Sequence, residues 1–135
     1  MRDCLARGGL EAFFNEALEL VVTPAFREEY RDSLELLRKQ AIRVNSPVAI
    51  ARAIDACRGF NLRGKISAIK APVLIVTGRE DVFTPPDIAE EIHRQIRGSE
   101  LVITEGVGHN QMVPENIEPL TKLILDFLAK HPGIH

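Results

Sequence analysis

Two side chains in this chain have the types and the spacing for proton transfer: Asp81 and His109. Asp81 follows the run Val73-Leu-Ile-Val-Thr77, closed by Gly78. His109 follows a second run, Leu101 to Thr104, across Gly106 and Gly108. Each run is short, apolar and rich in β-branched residues, the pattern of a buried parallel strand. The acid and the imidazole therefore each stand just past the carboxyl end of a strand. Neighbouring strands lie about 4.8 Å apart, so if these two are neighbours both side chains emerge at one sheet edge. There a carboxylate can accept the imidazole Nδ1–H, fix the tautomer and leave Nε2 as a general base. Ligands of open α/β sheets bind at that same edge.

The elements that must position the pair can be read outward from it. Thr84-Pro85-Pro86 is turn chemistry that opens a helix, with Pro86 at its first position. Ile88, Ala89, Ile92 and Ile96 then recur at helical spacing until Gly98 stops the run. Strand, helix and strand make one βαβ unit, whose crossover is expected to be right-handed. A last helix is expected after Pro114, with Ile117, Leu120, Ile124, Phe127 and Leu128 on one face and Pro119 tolerated in its first turn.

Upstream, Met1 to Gly9 carries no structural signal. Leu10, Phe13, Phe14, Ala17, Leu18 and Val21 predict an amphipathic helix ended by Pro24. A second helix is predicted from about Ala25 to Arg43, with Phe26, Tyr30, Leu34, Leu37 and Ala41 on one side and a solvated charged face opposite. Ser46-Pro47 caps a third, to about Arg58, small and apolar enough to be packed on several sides. Lys65 to Ile69 is at most one helical turn. The organisation is α/β: a helical segment over residues 1–64, then a β-α-β-α unit with parallel strands over 65–135, together one compact domain.

At Gly78-Arg-Glu-Asp81 before Thr84-Pro85-Pro86, and at Gly108-His109 after a strand, the chain resembles the acid and histidine segments of the α/β-hydrolase fold. The chain order of acid then histidine is that family's order. The resemblance covers most of residues 59–130, and the helices before them more loosely, with a cap-like character. Gly59-Phe-Asn-Leu-Arg63 is similar to the end of the cap in the enol-lactonase and cofactor-free haloperoxidase branch. The resemblance implies a partial α/β-hydrolase fold in which Asp81 is the triad acid and His109 the base. It also implies that Phe83, Asn110, Met112 and Val113 lie where family members line the substrate pocket, although simple loop packing explains these four equally well.

The chain departs from the family in two respects. It holds no Gly-x-Ser-x-Gly and no version of it with Cys or Asp at the centre, and the His-Gly type segment that supplies an oxyanion-hole N–H is missing. Its four serines, Ser33, Ser46, Ser67 and Ser99, fall in helical or capping contexts. The expectation is thus the second part of a small-molecule hydrolase of ester- or lactone-type carbonyl compounds, lacking its nucleophile and close to inactive alone. The alternatives are a non-catalytic oligomeric or binding module derived from the fold, or a half enzyme complemented by a second chain.

Other candidates are weaker. Glu80 and Asp87 are rival acids, Asp87 being better placed as a helix-start charge. His93 falls opposite its helix's apolar stripe, which predicts a solvent-facing ring; His131 and His135 are in the tail. None has metal-ligand company, so no metal and no cofactor is expected. Cys4 and Cys57 have neither metal spacing nor a disulfide framework, and Cys57 reads as a buried small hydrophobe. A net charge of −2 with 45% apolar and 27% charged residues leaves no basic footprint for nucleic acid. With no long apolar run and no signal peptide, a cytoplasmic protein is expected, without a membrane partner. The first strand's outer edge lacks a partner in the sequence, which predicts a homodimer or larger even oligomer. A small-molecule substrate is expected only with a complementing N-terminal half.

Overall fold

The computed structural model describes residues 1–132, which divide into two units. The first, Met1–Asn61, is all helix: α1 (Arg2–Val21), α2 (Pro24–Glu29), α3 (Arg31–Val44) and α4 (Pro47–Ala56). α1 packs against α3 and α4, and α2 against α3. Two boundaries differ from expectation. Helix begins at Arg2, not Leu10, because the backbone leaves helical geometry only at Gly9 (φ 63°, ψ −157°) and resumes beyond it. The predicted second helix is two helices, broken at Tyr30 (φ −106°, ψ 25°). Phe26 and Tyr30 stack there at 4.3 Å between ring centroids.

Thr23 Oγ1 accepts the Phe26 N–H at the start of α2, and Ser46 Oγ accepts the Ala49 N–H at the start of α4. Both are N-caps ahead of a first-turn proline. The core of this unit is thin: Leu5, Phe13 and Val22 are buried, and no residue of α3 or α4 is. α4 is therefore not packed on several sides, and Leu37 and Cys57 are exposed. A small apolar helix buries only what its neighbours can cover, and within this unit only α1 packs closely on α4. On the charged face of α3, Arg38 departs from full solvation, its guanidinium clamped on the Glu35 carboxylate at 2.8 Å.

The second unit begins at Leu62. A short 3₁₀ turn (Ile66–Ala68) leads into β1 (Leu74–Gly78), α5 (Pro86–Gln95), β2 (Glu100–Thr104) and α6 (Pro114–Lys130). β1 and β2 pair in parallel, in the register Leu74↔Glu100 to Gly78↔Thr104. α5 packs on both strands. On α6 the buried stripe is narrower than predicted, with Leu120 and Phe127 covered while Ile117, Ile124 and Leu128 are exposed.

The sheet has two strands among the described residues. Glu100 N–H donates to Val73 O and Arg79 N–H to Thr104 O, each at 2.8 Å. In a parallel ladder with this register, Val73, Ile75, Thr77 and Arg79 bond to β2. The backbone groups of Leu74 and Val76 consequently point to the opposite edge of β1.

Candidate active site

The β1–α5–β2 unit brings Asp81 and His109 together. Both lie on loops at the carboxyl ends of paired parallel strands, and His109 Nδ1–H donates to Asp81 Oδ2 at 2.9 Å. Two glycines make this approach possible. At Gly106 the backbone turns with φ +71°, a conformation that glycine adopts without strain. At Gly78 the reason is space: a Cβ there would lie 2.0 Å from Val107 O and 2.4 Å from Gly108 O. The His109 loop thus rests on the bare backbone of Gly78. Glu80 N–H donates to Val107 O at 3.0 Å and pins it there.

Asp81 is only 4% exposed, and its carboxylate is fully engaged. Oδ1 accepts the backbone N–H groups of Phe83 and Thr84 at 2.9 and 2.8 Å. Oδ2 accepts the Thr84 hydroxyl at 2.8 Å as well as the imidazole. Burial pushes the carboxyl pKa up, but the Thr84 N–H, the imidazole, the Thr84 hydroxyl and the Phe83 N–H together outweigh it. The acid is held below the ordinary carboxylate range and stays ionised. The His109 side chain is 37% exposed, so the buried acid presents a ring that solvent and solutes can reach.

Beside the pair opens a cleft of about 250 Å³ between β1 and α5, lined by Ile75, Thr77, Ile88, Ile92, His109 and Gln111 among others. Its wall is mostly apolar, and Thr77 Oγ1 is buried in it with no hydrogen-bond partner among the described residues.

The remaining candidates are spread more widely. Phe83 sets its ring edge-on to His109 (centroids 5.0 Å, planes 86°). Asn110 turns inward on its own loop, Oδ1 accepting the Met112 N–H at 3.0 Å. Met112 is exposed, and Val113 is buried as the residue before α6. Glu80 and Asp87 are exposed, and the carboxylate that bonds the imidazole is that of Asp81. His93 is half-buried, not solvent-facing: its Nδ1 meets Ser99 Oγ at 2.8 Å, a contact made when the chain turns back at Gly98. His131 packs on Phe127, and His135 lies outside the described residues. No group of three or more metal-ligating side chains occurs among the described residues.

Sequence reasoning missed Thr84 and Gln111. Thr84 bonds both members of the pair, its Oγ1 lying 3.1 Å from His109 Nδ1. Gln111 Nε2 donates to Gly108 O at 2.9 Å, and its backbone carbonyl accepts from buried Asn116, so it ties the histidine loop to α6. The available signal for Thr84 was its offset of three from Asp81, the reach of an acid-headed turn.

A parallel βαβ unit with an acid past its first strand, a histidine past its second and helical segments before it is a partial α/β-hydrolase fold. The model of the family described as TAP-like protein, an α/β-hydrolase family, matches residues 51–131, and the chain belongs to that family. The pimeloyl-[acyl-carrier protein] methyl ester esterase of Neisseria meningitidis serogroup B (strain H44/76) is 35% identical over 86 residues, 64% of this chain and 33% of that protein. The AB hydrolase superfamily protein YisY of Bacillus subtilis (strain 168) is 42% identical over 72 residues, 53% of this chain and 26% of that protein. Among solved structures, the enol-lactonase of Burkholderia xenovorans LB400 superposes with a TM-score of 0.83 at 23% identity, over 95% of this chain and 48% of that one. At that identity the likeness is one of fold. The chain spans between a quarter and a third of the length of these curated relatives and about half of the solved one. No helix of the described residues is long and apolar enough to cross a membrane.

Proposed function

We propose that this chain supplies the acid and the general base of an α/β-hydrolase acting on small ester- or lactone-type carbonyl compounds. The nucleophile and the oxyanion hole come from residues outside these 135. The observation that carries the reading is the bond between buried Asp81 and half-exposed His109 at the carboxyl edge of the sheet. With Nδ1–H committed to the carboxylate, Nε2 carries the lone pair. It takes the proton of an attacking hydroxyl and returns it to the leaving alcohol, while Asp81 orients the ring and stabilises the imidazolium. The ester class is favoured by a methyl ester esterase among the relatives.

The test joins the chain to the portion of the B. xenovorans enol-lactonase that it does not span, and follows p-nitrophenyl acetate. Turnover is expected in the joined protein, lowered about 10³-fold or more by His109→Ala and about 10²- to 10⁴-fold by Asp81→Asn. The 135-residue chain alone should stay near the uncatalysed rate. A folded joined protein whose turnover is absent, or indifferent to His109→Ala, refutes the assignment. So does a chain that turns the ester over unaided.

The free edge of β1 favours a second reading, in which the chain is an oligomeric module. Among the described residues no strand pairs with the edge of β1 to which the backbone groups of Leu74 and Val76 point; such an edge is a template for another strand, and two strands are a small sheet to stand alone. We propose a two-fold dimer in which the β1 strands of two copies pair antiparallel. Sedimentation equilibrium at micromolar concentration tests it, and a compact monomer refutes it.

A further inference from the structure

Three polar atoms form a closed triangle at the centre of the site. Thr84 Oγ1 is 2.8 Å from Asp81 Oδ2, Asp81 Oδ2 is 2.9 Å from His109 Nδ1, and His109 Nδ1 is 3.1 Å from Thr84 Oγ1. Each edge is a hydrogen-bond distance, so the protons have to be apportioned. The carboxylate has none to give. The hydroxyl has one, and directs it to the charged oxygen, which is the stronger acceptor. That leaves an Oγ1 lone pair facing the ring.

If Nδ1 were unprotonated, its lone pair would face a carboxylate oxygen at 2.9 Å. The single hydroxyl proton could relieve either the nitrogen or the carboxylate, not both. With Nδ1 protonated, the N–H is shared between Oδ2 and Oγ1 and no two lone pairs are left facing each other. The hydroxyl is thus a second acceptor for the ring, set to one side of the first.

Its position is fixed by local sequence. Thr84 N–H is itself bonded to Asp81 Oδ1 at 2.8 Å, and the following Pro85 (φ −63°, ψ 160°) keeps Thr84 out of helical backbone. The side chain therefore arrives at the imidazole from a turn that Asp81 already holds.

We propose that Thr84 is a positioning residue of the acid–histidine pair. Its hydroxyl donates to Asp81 Oδ2 and accepts from His109 Nδ1–H, so that it locks the imidazole in the Nδ1–H tautomer and anchors the ring at a second point. The use made of the resulting Nε2 lone pair rests on the hydrolase reading above; the lock itself does not.

The test is imidazole ¹⁵N spectroscopy of the 135-residue chain, with the ring neutral, in the unmodified protein and in Thr84→Val, Thr84→Ala and Thr84→Ser. The unmodified protein and Thr84→Ser are expected to show a single Nδ1–H tautomer with a slowly exchanging proton. Thr84→Val keeps the shape and loses the hydroxyl; Thr84→Ala loses the hydroxyl without bulk and serves if the valine variant does not fold. In these two, exchange of that proton should quicken about tenfold, the worth of roughly one charge-assisted bond, and the Nε2–H tautomer should become detectable as the ring, no longer held at a second point, swings clear of Asp81 Oδ2. Val and Ala variants that match the unmodified protein overturn the proposal, and so does a Ser variant as loose as Val. No substrate or nucleophile enters this measurement, so its failure is separate from failure of the activity test.

Discussion

Gly78→Ala tests whether backbone proximity builds the acid–histidine site. The new Cβ would stand 2.0 Å from Val107 O and 2.4 Å from Gly108 O. Carbon-to-oxygen contacts ordinarily begin at about 3.3 Å, so the His109 loop has to retreat by roughly 1 Å. That retreat breaks the 3.0 Å bond from Glu80 N–H to Val107 O, a loss of about 0.5–1.5 kcal/mol. It also stretches the imidazole–carboxylate bond, worth about 1.5–3 kcal/mol because the acceptor is charged. Residual overpacking adds about 1–3 kcal/mol. One movement relieves strain as it breaks bonds, so the parts overlap, and about 3–5 kcal/mol is expected in all. In urea that lowers the unfolding midpoint by about 1–3 M, read by circular dichroism. The Nδ1–H resonance of His109 should broaden or vanish. Gly98→Ala is the control: its φ is +79° with nothing within 4 Å of the new Cβ, so it carries only the left-handed backbone penalty of about 1–2 kcal/mol. If Gly78→Ala unfolds at the same urea concentration as Gly98→Ala with the Nδ1–H resonance intact, the close-approach argument is wrong.

Acid stability should depend on Asp81. Its native pKa is depressed, so its contribution is fully present above the unfolded value of about 3.9 and is lost as pH falls through the lower native value. Asp81→Asn should flatten the pH dependence of the urea midpoint in that acid window while leaving its slope near neutrality unchanged. Val76→Pro should separate association from folding. Val76 N–H faces away from β2, so proline there removes no bond within the sheet but blocks pairing at the other edge of β1; in the dimer reading, sedimentation should show a monomer. Ser46→Ala should cost about 1 kcal/mol, the usual worth of an N-cap, through loss of the Ala49 N–H contact. A urea titration checks it.

The acid–histidine geometry was legible because strand ends are legible. β-Branched runs closed by Gly78 and Gly106 mark where two parallel strands stop, and parallel pairing then puts both loops at one edge. α5 begins at Pro86 as its proline dictates, whereas α6 begins already at Pro114, so Pro119 lies inside the helix and not in its first turn. Thr84 was hidden by its own sequence context. Thr-Pro-Pro already reads as helix-start chemistry, and nothing in a linear pattern reveals a second use of the hydroxyl. The break at Tyr30 was hidden because Phe26, Tyr30 and Leu34 keep a spacing of four across it. Burial was least legible where a helix has few neighbours. Leu37, Ile117, Ile124 and Cys57 are apolar by type and exposed in place, since periodicity says which face would be buried and not whether anything covers it.

The state of the pair sets what it can do. Asp81 is sealed, and both its oxygens are occupied by donors. Protonating it would displace at least one of the four donors that point at it, which opposes protonation and keeps the carboxylate charged rather than a proton store. The imidazole, held at Nδ1 and open to solvent elsewhere, is the one group of the pair that can exchange a proton with a substrate. A general base of this kind accelerates a reaction by about 10²- to 10⁴-fold, whereas removing a single oxyanion donor from a complete site loses about 10²- to 10³-fold. In the hydrolase reading, then, the residues seen here govern proton transfer and the orientation of the base. Stabilisation of the tetrahedral intermediate falls to groups beyond them, which is why activity is sought in the joined protein and the tautomer lock in this chain.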